Sequence, residues 1–145
     1  MVEGNKLEFV KKIRYITDYF LLKMPLPRIN PNIISGLSIL TSLTFILVVK
    51  HSSALGCALL VMTLFLDWLD GLVARRYNLS SEEGYMVDVT SDRLSEGIIF
   101  IPFFVPWFYL FALNNILTIY SFTRKRHVVL PLRHIFLVYF IINYL

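Results

Sequence analysis

The sequence has little charge and almost no cysteine. Only 17% of its 145 residues are Asp, Glu, Lys or Arg, against roughly 25% in a typical soluble domain. The single cysteine, Cys57, stands in an apolar run and cannot form an internal disulfide. We therefore expect it to be a small core residue. The first 30 residues lack the apolar run and cleavage site of a signal peptide, so we expect no cleaved leader.

Apolar residues dominate what is present. They make up 57% of the chain, and the mean hydropathy is +0.65. This composition is typical of a membrane protein, and the length allows a single domain, residues 1–145. The formal charge is +4, but the basic residues flank apolar spans. Anionic lipid headgroups and phosphate ligands therefore explain them better than nucleic acid does. The apolar spans also exclude a soluble metal-binding or nucleic-acid module.

Hydrophobic periodicity predicts an all-α, multi-pass transmembrane helical bundle with about five spans. Residues 5–22 mix charged residues with a single apolar face, which predicts an N-terminal interfacial amphipathic helix that does not cross the membrane. Prolines at positions 25, 27 and 31 then interrupt helicity. The expected spans are approximately 33–49, 54–75, 84–103, 108–122 and 128–145.

Polar residues and prolines mark where these helices begin and end. Asn32 is the expected N-cap of the first span. Ser80 and Glu83 have the spacing of a capping box for the third span. Pro102 and Pro106 predict a turn after it.

Four aspartates interrupt the apolar stretches. Asp67 and Asp70 share one face of the second span, and Asp88 and Asp92 share one face of the third. An acid at the membrane centre costs roughly 2.5–3.5 kcal/mol on insertion scales, so the four require a common partner. Carboxylates brought together by two helices need cations between them, and hard oxygen ligands suit Mg²⁺, Mn²⁺ or Ca²⁺. The pattern predicts a two-metal site. The alternative is a polar seam for packing or ion passage, although such seams favour Ser, Thr and Asn.

The spacing around these aspartates is D-x2-D-G-x2-A-R-x8-G-x3-D-x3-D. It resembles the complete signature of the CDP-alcohol phosphotransferase (CDP-alcohol phosphatidyltransferase) family. Eight fixed residues across 26 positions are a specific signal, and the resemblance covers roughly residues 5–133. The matching positions are Asp67, Asp70, Gly71, Ala74, Arg75, Gly84, Asp88 and Asp92.

The resemblance implies a membrane enzyme of phospholipid biosynthesis. In this family an acceptor hydroxyl attacks the β-phosphorus of a CDP-linked lipid donor, and CMP leaves. By resemblance, Asp67, Asp70 and Asp88 are ligands of Mg²⁺ or Mn²⁺ in a two-metal site. Asp92 completes the metal-binding set and is the general base that takes the acceptor's proton.

The other signature residues are assigned to the CDP donor by the same resemblance. Gly71, Ala74 and Gly84 would leave room for the cytidine, and Arg75 would pair with the donor phosphates. Close packing of helices through small residues is the alternative explanation for the first three.

A weaker match concerns the acceptor. Family members commonly have Ser-Tyr-x-Arg/Lys-Ala at the end of the fourth span, where this chain retains Ser121 and Arg124 but not Tyr or Ala. Together with Arg133 in the fifth span, these residues predict a small polar acceptor that carries a phosphate, such as glycerol phosphate or inositol phosphate. Snorkelling of the arginines to lipid headgroups is the alternative.

The positive charges predict the topology. The N-terminal arm, Arg75, Arg76 and the basic cluster 124–127 would lie on one side, so the active site faces the cytoplasm in a multi-pass cell-membrane protein. Family members usually have one span more, so we expect a homodimer that covers the remaining lipid-facing surface. The lipid tail, diacylglycerol or archaeol, is left open. The competing function is a non-catalytic divalent-metal-binding membrane protein or a subunit that requires a partner.

Overall fold

The structure is a computed structural model that describes residues 28–77, 79, 81–124 and 129–145. Within this part of the chain there are five α-helices and no strand. The amphipathic helix predicted at 5–22 lies outside the described residues. Helices occur at all five positions predicted for spans, and their ends differ from the predicted ones by at most four residues. They are α1 (Pro31–Val48), α2 (Ser53–Arg76), α3 (Glu82–Phe100), α4 (Phe104–Arg124) and α5 (Leu132–Tyr144).

Polar side chains cap the first three helices. The side-chain oxygen of Asn30 accepts a hydrogen bond from the amide of Asn32 at 3.0 Å, and α1 begins with Pro31. The predicted cap at Asn32 is therefore wrong by two positions. Proline is favoured at the first helical position because its missing amide hydrogen would have no partner there. This places Asn32 inside the first turn and leaves the capping role to Asn30.

The start of α3 differs from the prediction by one residue. Ser81, rather than Ser80, is the N-cap, and its hydroxyl accepts a hydrogen bond from the amide of Gly84 at 2.9 Å. Glu82 and Glu83 then occupy the first turn, where negative charge is favourable at the positive end of the helix dipole.

Helices α3 and α4 form an antiparallel pair. A 3₁₀ turn at Ile101–Phe103 separates them, close to the turn predicted from Pro102 and Pro106. The side-chain amide of Asn114 donates to Glu96 at 3.0 Å, although the two are eighteen positions apart. A straight helix would separate them by roughly 27 Å. Helix α4 therefore runs back along α3.

Aromatic rings fill one end of the bundle. Phe136 lies at their centre, with its ring centroid 4.8 Å from that of Trp107 and 5.2 Å from that of Phe100. Phe45 and Phe140 complete the fully buried group. These residues come from the last turns of α1 and α3, the first turn of α4 and the body of α5. The aromatic cluster therefore joins four helices at the end of the bundle that lies away from the α2–α3 loop.

Three stretches of the described chain are long and apolar enough to cross a membrane. They are Pro31–Val48, Ser53–Arg76 and Glu82–Arg124, the last including the α3–α4 turn, while Leu132–Tyr144 is a shorter apolar helix. Large apolar side chains cover the exterior, and Leu47 and Ile142 are 72% and 76% exposed. Such an exterior suits hydrocarbon rather than water. The prediction of an all-helical membrane bundle is confirmed, with three candidate spans in the described residues where the sequence predicted five.

The close approach of α3 and α4 gives a test of this packing. A Cβ added at Gly97 would lie 3.1 Å from the ring of Phe111, whereas one added at Gly36 would meet nothing within 4 Å. We expect Gly97→Leu to lower the melting temperature in mild detergent, because overpacking costs roughly 1–3 kcal/mol. Gly36→Leu is the matched control and should change it little. Equal losses in both variants would contradict the importance of this contact.

Candidate active site

Three of the four predicted aspartates meet between α2 and α3. One carboxylate oxygen each from Asp67, Asp88 and Asp92 lies within 4.8 Å of the others. Asp67 is in the second half of α2, Asp88 is in the first half of α3, and Asp92 is near the middle of α3. The antiparallel course of the helices therefore brings them to one level. Asp67 precedes the end of α2 by nine residues, which is roughly 14 Å of helix, so the cluster lies deep in the bundle. We call these three residues the carboxylate cluster.

The fourth aspartate, Asp70, is held separately. It is only 4% exposed, and its carboxylate accepts a hydrogen bond from the hydroxyl of Ser35 on α1 at 2.5 Å. It interacts electrostatically with Asp88, so it lies beside the carboxylate cluster without belonging to it. Helix α1 thus contributes a donor that fixes one of the four predicted ligands.

Arg133 enters the carboxylate cluster from α5. Its Nη2 lies 2.5 Å from Asp92 Oδ1 and 3.1 Å from Asp67 Oδ2. The arginine side chain is 7% exposed, and each of the two aspartate side chains is 26% exposed. A single nitrogen therefore bridges α2 and α3. The other terminal nitrogen, Nη1, is buried and has no hydrogen-bond partner among the described residues.

A second buried polar group lies one turn further along α3. Glu96 and Asn114 are both fully buried, and the Asn114 amide donates to the two Glu96 oxygens at 3.0 and 3.3 Å. The same side chain accepts from the Leu130 amide at 2.8 Å and donates to the Leu130 carbonyl at 3.1 Å. Arg93 pairs with Glu96 at 2.8 Å. This network ties α3 and α4 to the segment that leads into α5.

The glycines of the signature do not pack against neighbouring helices. Among the described residues, a Cβ at Gly71 would come within 4 Å only of the Arg75 guanidinium, at 3.9 Å, and one at Gly84 would meet only the turn before α3. Gly97 behaves differently, because it faces the Phe111 ring of α4. Neither Gly71 nor Gly84 therefore lies against a neighbouring helix among the described residues, which disfavours the helix-packing alternative for these two positions.

The structure places the remaining predicted residues at the rim or away from the cluster. Ala74 is half-buried and Arg75 is exposed near the end of α2. At the end of α4, Ser121 is half-buried and Arg124 is exposed. Arg133, which the sequence groups with Ser121 and Arg124, instead bonds to two carboxylates.

Three residues near the site were not predicted from the sequence. Ser35 belongs to a row of serines on α1 whose three- and four-residue spacing marks a polar face on an apolar span. Glu96 continues the four-residue spacing of Asp88 and Asp92. These two periodicities could have identified them. Asn114 gives no such signal, because its partners are distant in sequence.

The carboxylate cluster fits a divalent ion. Carboxylate oxygens are the ligands that Mg²⁺ and Ca²⁺ prefer, and two oxygens on opposite sides of one Mg²⁺ are roughly 4.2 Å apart. Oxygens on adjacent positions of the same ion are roughly 3.0 Å apart, so the three cluster oxygens, which lie within 4.8 Å of one another, would move closer together around an ion. The Arg133 guanidinium already bridges Asp67 and Asp92, which shows that a positive group fits between these carboxylates.

The family model for CDP-alcohol phosphatidyltransferase matches residues 28–143. The chain belongs to this family. The match includes all eight signature residues and also α5, which carries Arg133. No solved structure gives a significant match to the chain.

Curated relatives match parts of the chain. A Mycobacterium tuberculosis protein that carries the name cardiolipin synthase is 33% identical over 89 residues, 57% of this chain and 43% of its own length. A Rickettsia bellii CDP-diacylglycerol–glycerol-3-phosphate 3-phosphatidyltransferase is 37% identical over 59 residues, 41% of this chain and 33% of its own. An archaetidylinositol phosphate synthase of Methanothermobacter thermautotrophicus is 52% identical over 46 residues, 32% of this chain and 24% of its own. The matched regions span less than half of each relative.

The Asn114 network gives a prediction about stability. Asn114→Ala would leave the Glu96 carboxylate and both backbone groups of Leu130 without this partner. Because each buried polar group left unsatisfied costs about 1–3 kcal/mol, we expect a large loss of melting temperature in detergent. Asn115→Ala is the matched control, since Asn115 bonds only to the Phe111 carbonyl of its own helix among the described contacts. An equal, small effect in both variants would contradict a structural role for the network.

Proposed function

We propose that this chain transfers a phosphatidyl-type group from a CDP-linked lipid to the hydroxyl of a small polar acceptor, releasing CMP. The supporting observation is the carboxylate cluster of Asp67, Asp88 and Asp92 inside an apolar helical bundle, together with Asp70 beside it. In the reaction a bond forms between the acceptor oxygen and the β-phosphorus. The bond from that phosphorus to the oxygen that leaves with CMP breaks, and the hydroxyl proton passes to Asp92.

The four aspartates would hold Mg²⁺ or Mn²⁺ in a two-metal site. Asp67, Asp70 and Asp88 serve as ligands, and Asp92 completes the set. When bound, such ions neutralise pyrophosphate charge and stabilise the attacking and leaving oxygens. The hydrogen bond from Ser35 orients the Asp70 carboxylate. The partial exposure of Asp67 and Asp92 supports access of phosphate oxygens to the cluster.

The donor and acceptor would approach from different sides of the cluster. Gly71, Ala74 and Gly84 leave space for the cytidine, and Arg75 pairs with donor phosphates. A phosphorylated acceptor, such as glycerol phosphate or inositol phosphate, would bind near Ser121, Arg124 and Arg133. The matches to relatives named for glycerol-3-phosphate and for inositol phosphate favour acceptors of this class.

The topology follows from charge. Arg75 and Arg76 end α2 and Arg124 ends α4, so these basic residues lie at one side if α3 and α4 each cross the membrane. We place that side and the mouth of the site at the cytoplasm, which gives five spans in all. The apolar exterior would pair in a homodimer, and a monomeric mass in native-like lipid would contradict this assignment.

Loss of one carboxylate tests the metal-dependent transfer. We expect Asp88→Asn and Asp70→Asn to abolish CMP release from CDP-diacylglycerol in Mg²⁺ or Mn²⁺, because each removes a charged ligand. Glu83→Gln is the matched control at an exposed position in the same segment and should retain activity. CMP release would be measured with membranes, a CDP-lipid and a panel of labelled polar alcohols.

The outcomes separate the candidate functions. CMP release by Asp70→Asn in EDTA would contradict the two-metal assignment. Mn²⁺ binding by the wild-type chain with no transfer to any alcohol would favour the non-catalytic metal-binding protein or the partner-requiring subunit.

Arg75 near the end of α2 and Arg124 at the end of α4 give a second prediction. Arg75→Ala should raise the apparent KM for the CDP-lipid, while Arg124→Ala should raise it for a phosphorylated acceptor, because each arginine would serve a different phosphate. Both arginines are exposed ends of helices, so either change should leave the fold intact. Equal effects of both variants on both substrates would contradict the division into two pockets.

A further inference from the structure

The position of Arg133 is not explained by acceptor binding. Its guanidinium lies between Asp67 and Asp92, where the proposed function places a divalent ion. We propose that Arg133 is a resident counter-cation of the carboxylate cluster, and that it exchanges with a divalent ion at Asp67 and Asp92. This inference rests on the proposed function, since it concerns the same site.

Charge gives the first reason for such an exchange. Three carboxylates within 4.8 Å of one another repel strongly in an apolar bundle, and removing the partner of a buried charge is costly. A metal-free site therefore needs a positive group, and Arg133 is the basic residue that bonds there among the described residues. A divalent ion brings the same compensation with greater charge density. The two cations would occupy the same carboxylate oxygens, so they compete.

The Arg133 guanidinium does not use all of its hydrogen-bond donors in the cluster, so a divalent ion can replace it there. A guanidinium pairs best with a carboxylate through two parallel hydrogen bonds. Here one nitrogen, Nη2, bonds to both aspartates, while Nη1 is buried without a hydrogen-bond partner among the described residues. Moving the guanidinium out of the cluster therefore breaks the contacts of Nη2 and, within the described part of the chain, no hydrogen bond of Nη1.

The backbone around Arg133 is fixed, so that exchange requires only side-chain movement. Asn114 holds both backbone groups of Leu130, three residues before Arg133. Phe136 and Phe140, on the following turns of α5, are fully buried in the aromatic cluster. The α-carbon of Arg133 therefore stays in place whether its side chain contacts the aspartates or a ligand at the rim.

The exchange would order the steps of the proposed reaction. In the arginine-bound state Asp92 Oδ1 accepts a hydrogen bond from the Arg133 guanidinium. When a divalent ion takes the place of the guanidinium at Asp67 and Asp92, the guanidinium becomes available for the phosphate of an acceptor. Arg133 would then compensate the charge of the carboxylates in the metal-free site and bind the acceptor phosphate in the metal-bound site.

The experiment measures Mn²⁺ binding by the purified full chain in lipid nanodiscs, by titration calorimetry and by the electron paramagnetic resonance signal of the unbound ion. We expect Arg133→Met to lower the Kd for Mn²⁺ by roughly 5- to 150-fold, the range that coupling free energies of about 1–3 kcal/mol produce. Arg133→Lys, which keeps the charge but not the planar fork, should give a smaller decrease. Arg28→Met removes the same charge at an exposed position and should leave the Kd unchanged.

Thermal stability distinguishes exchange from simple repulsion. If Arg133 leaves the cluster when Mn²⁺ enters, Arg133→Met should lower the melting temperature in EDTA and have little effect in saturating Mn²⁺. If the arginine and the ion bind side by side, the loss will be the same in both conditions, and the proposal is overturned.

The remaining outcomes are also decisive. An unchanged or higher Kd in both Arg133 variants overturns the exchange while leaving the metal site intact. A wild-type chain that does not bind Mn²⁺ more tightly than Asp88→Asn overturns the metal site itself, and with it the proposed function.

Discussion

Four carboxylates held between the helices of an apolar bundle create the constraint on which the rest of this structure depends. Their repulsion and desolvation have to be offset by positive charge and by hydrogen bonds. Two helices, α1 and α5, supply part of this compensation. Helix α1 provides the Ser35 hydroxyl for Asp70, and α5 provides the Arg133 guanidinium for Asp67 and Asp92. Helices α2 and α3 both pack against α1, which places the acids together, and hydrogen bonds from α1 and α5 compensate their charge.

The two ends of the bundle differ in the side chains that they contain. At one end, rings such as Phe45 and Phe136 interlock and join four helices. At the other, polar side chains, glycines and partly exposed carboxylates leave surface that a charged ligand can reach. The Glu96–Asn114 network lies between the two ends of the bundle. It fixes the position of Leu130 relative to α3. A rigid aromatic end thus holds the first turn of α5, from which Arg133 extends into the site.

The sequence predicted the helices and the carboxylate cluster because both depend on local periodicity. The four-residue spacing of Asp88 and Asp92, with a short loop back to Asp67, is enough to place them on facing helices. The target of Arg133 could not be predicted in this way, because it depends on where α5 packs. Asn114 was missed for the same reason, since its partners Glu96 and Leu130 are distant in sequence. The predicted cap at Asn32 was wrong by two residues, because the preference of Pro31 for the first helical position outweighed the capping preference of Asn32.

The late position of Arg133 in the chain has a consequence for biogenesis. The ribosome delivers α2 and α3, with their aspartates, to the membrane before it delivers the 13 residues of α5. During that interval the acids lack their guanidinium, and hydrocarbon penalises each of them. Nascent α2 and α3 therefore gain by staying near water, or near the insertion machinery, until α5 arrives. Docking of α5 is then the step that supplies the positive charge and lets α2 and α3 move fully into the bilayer.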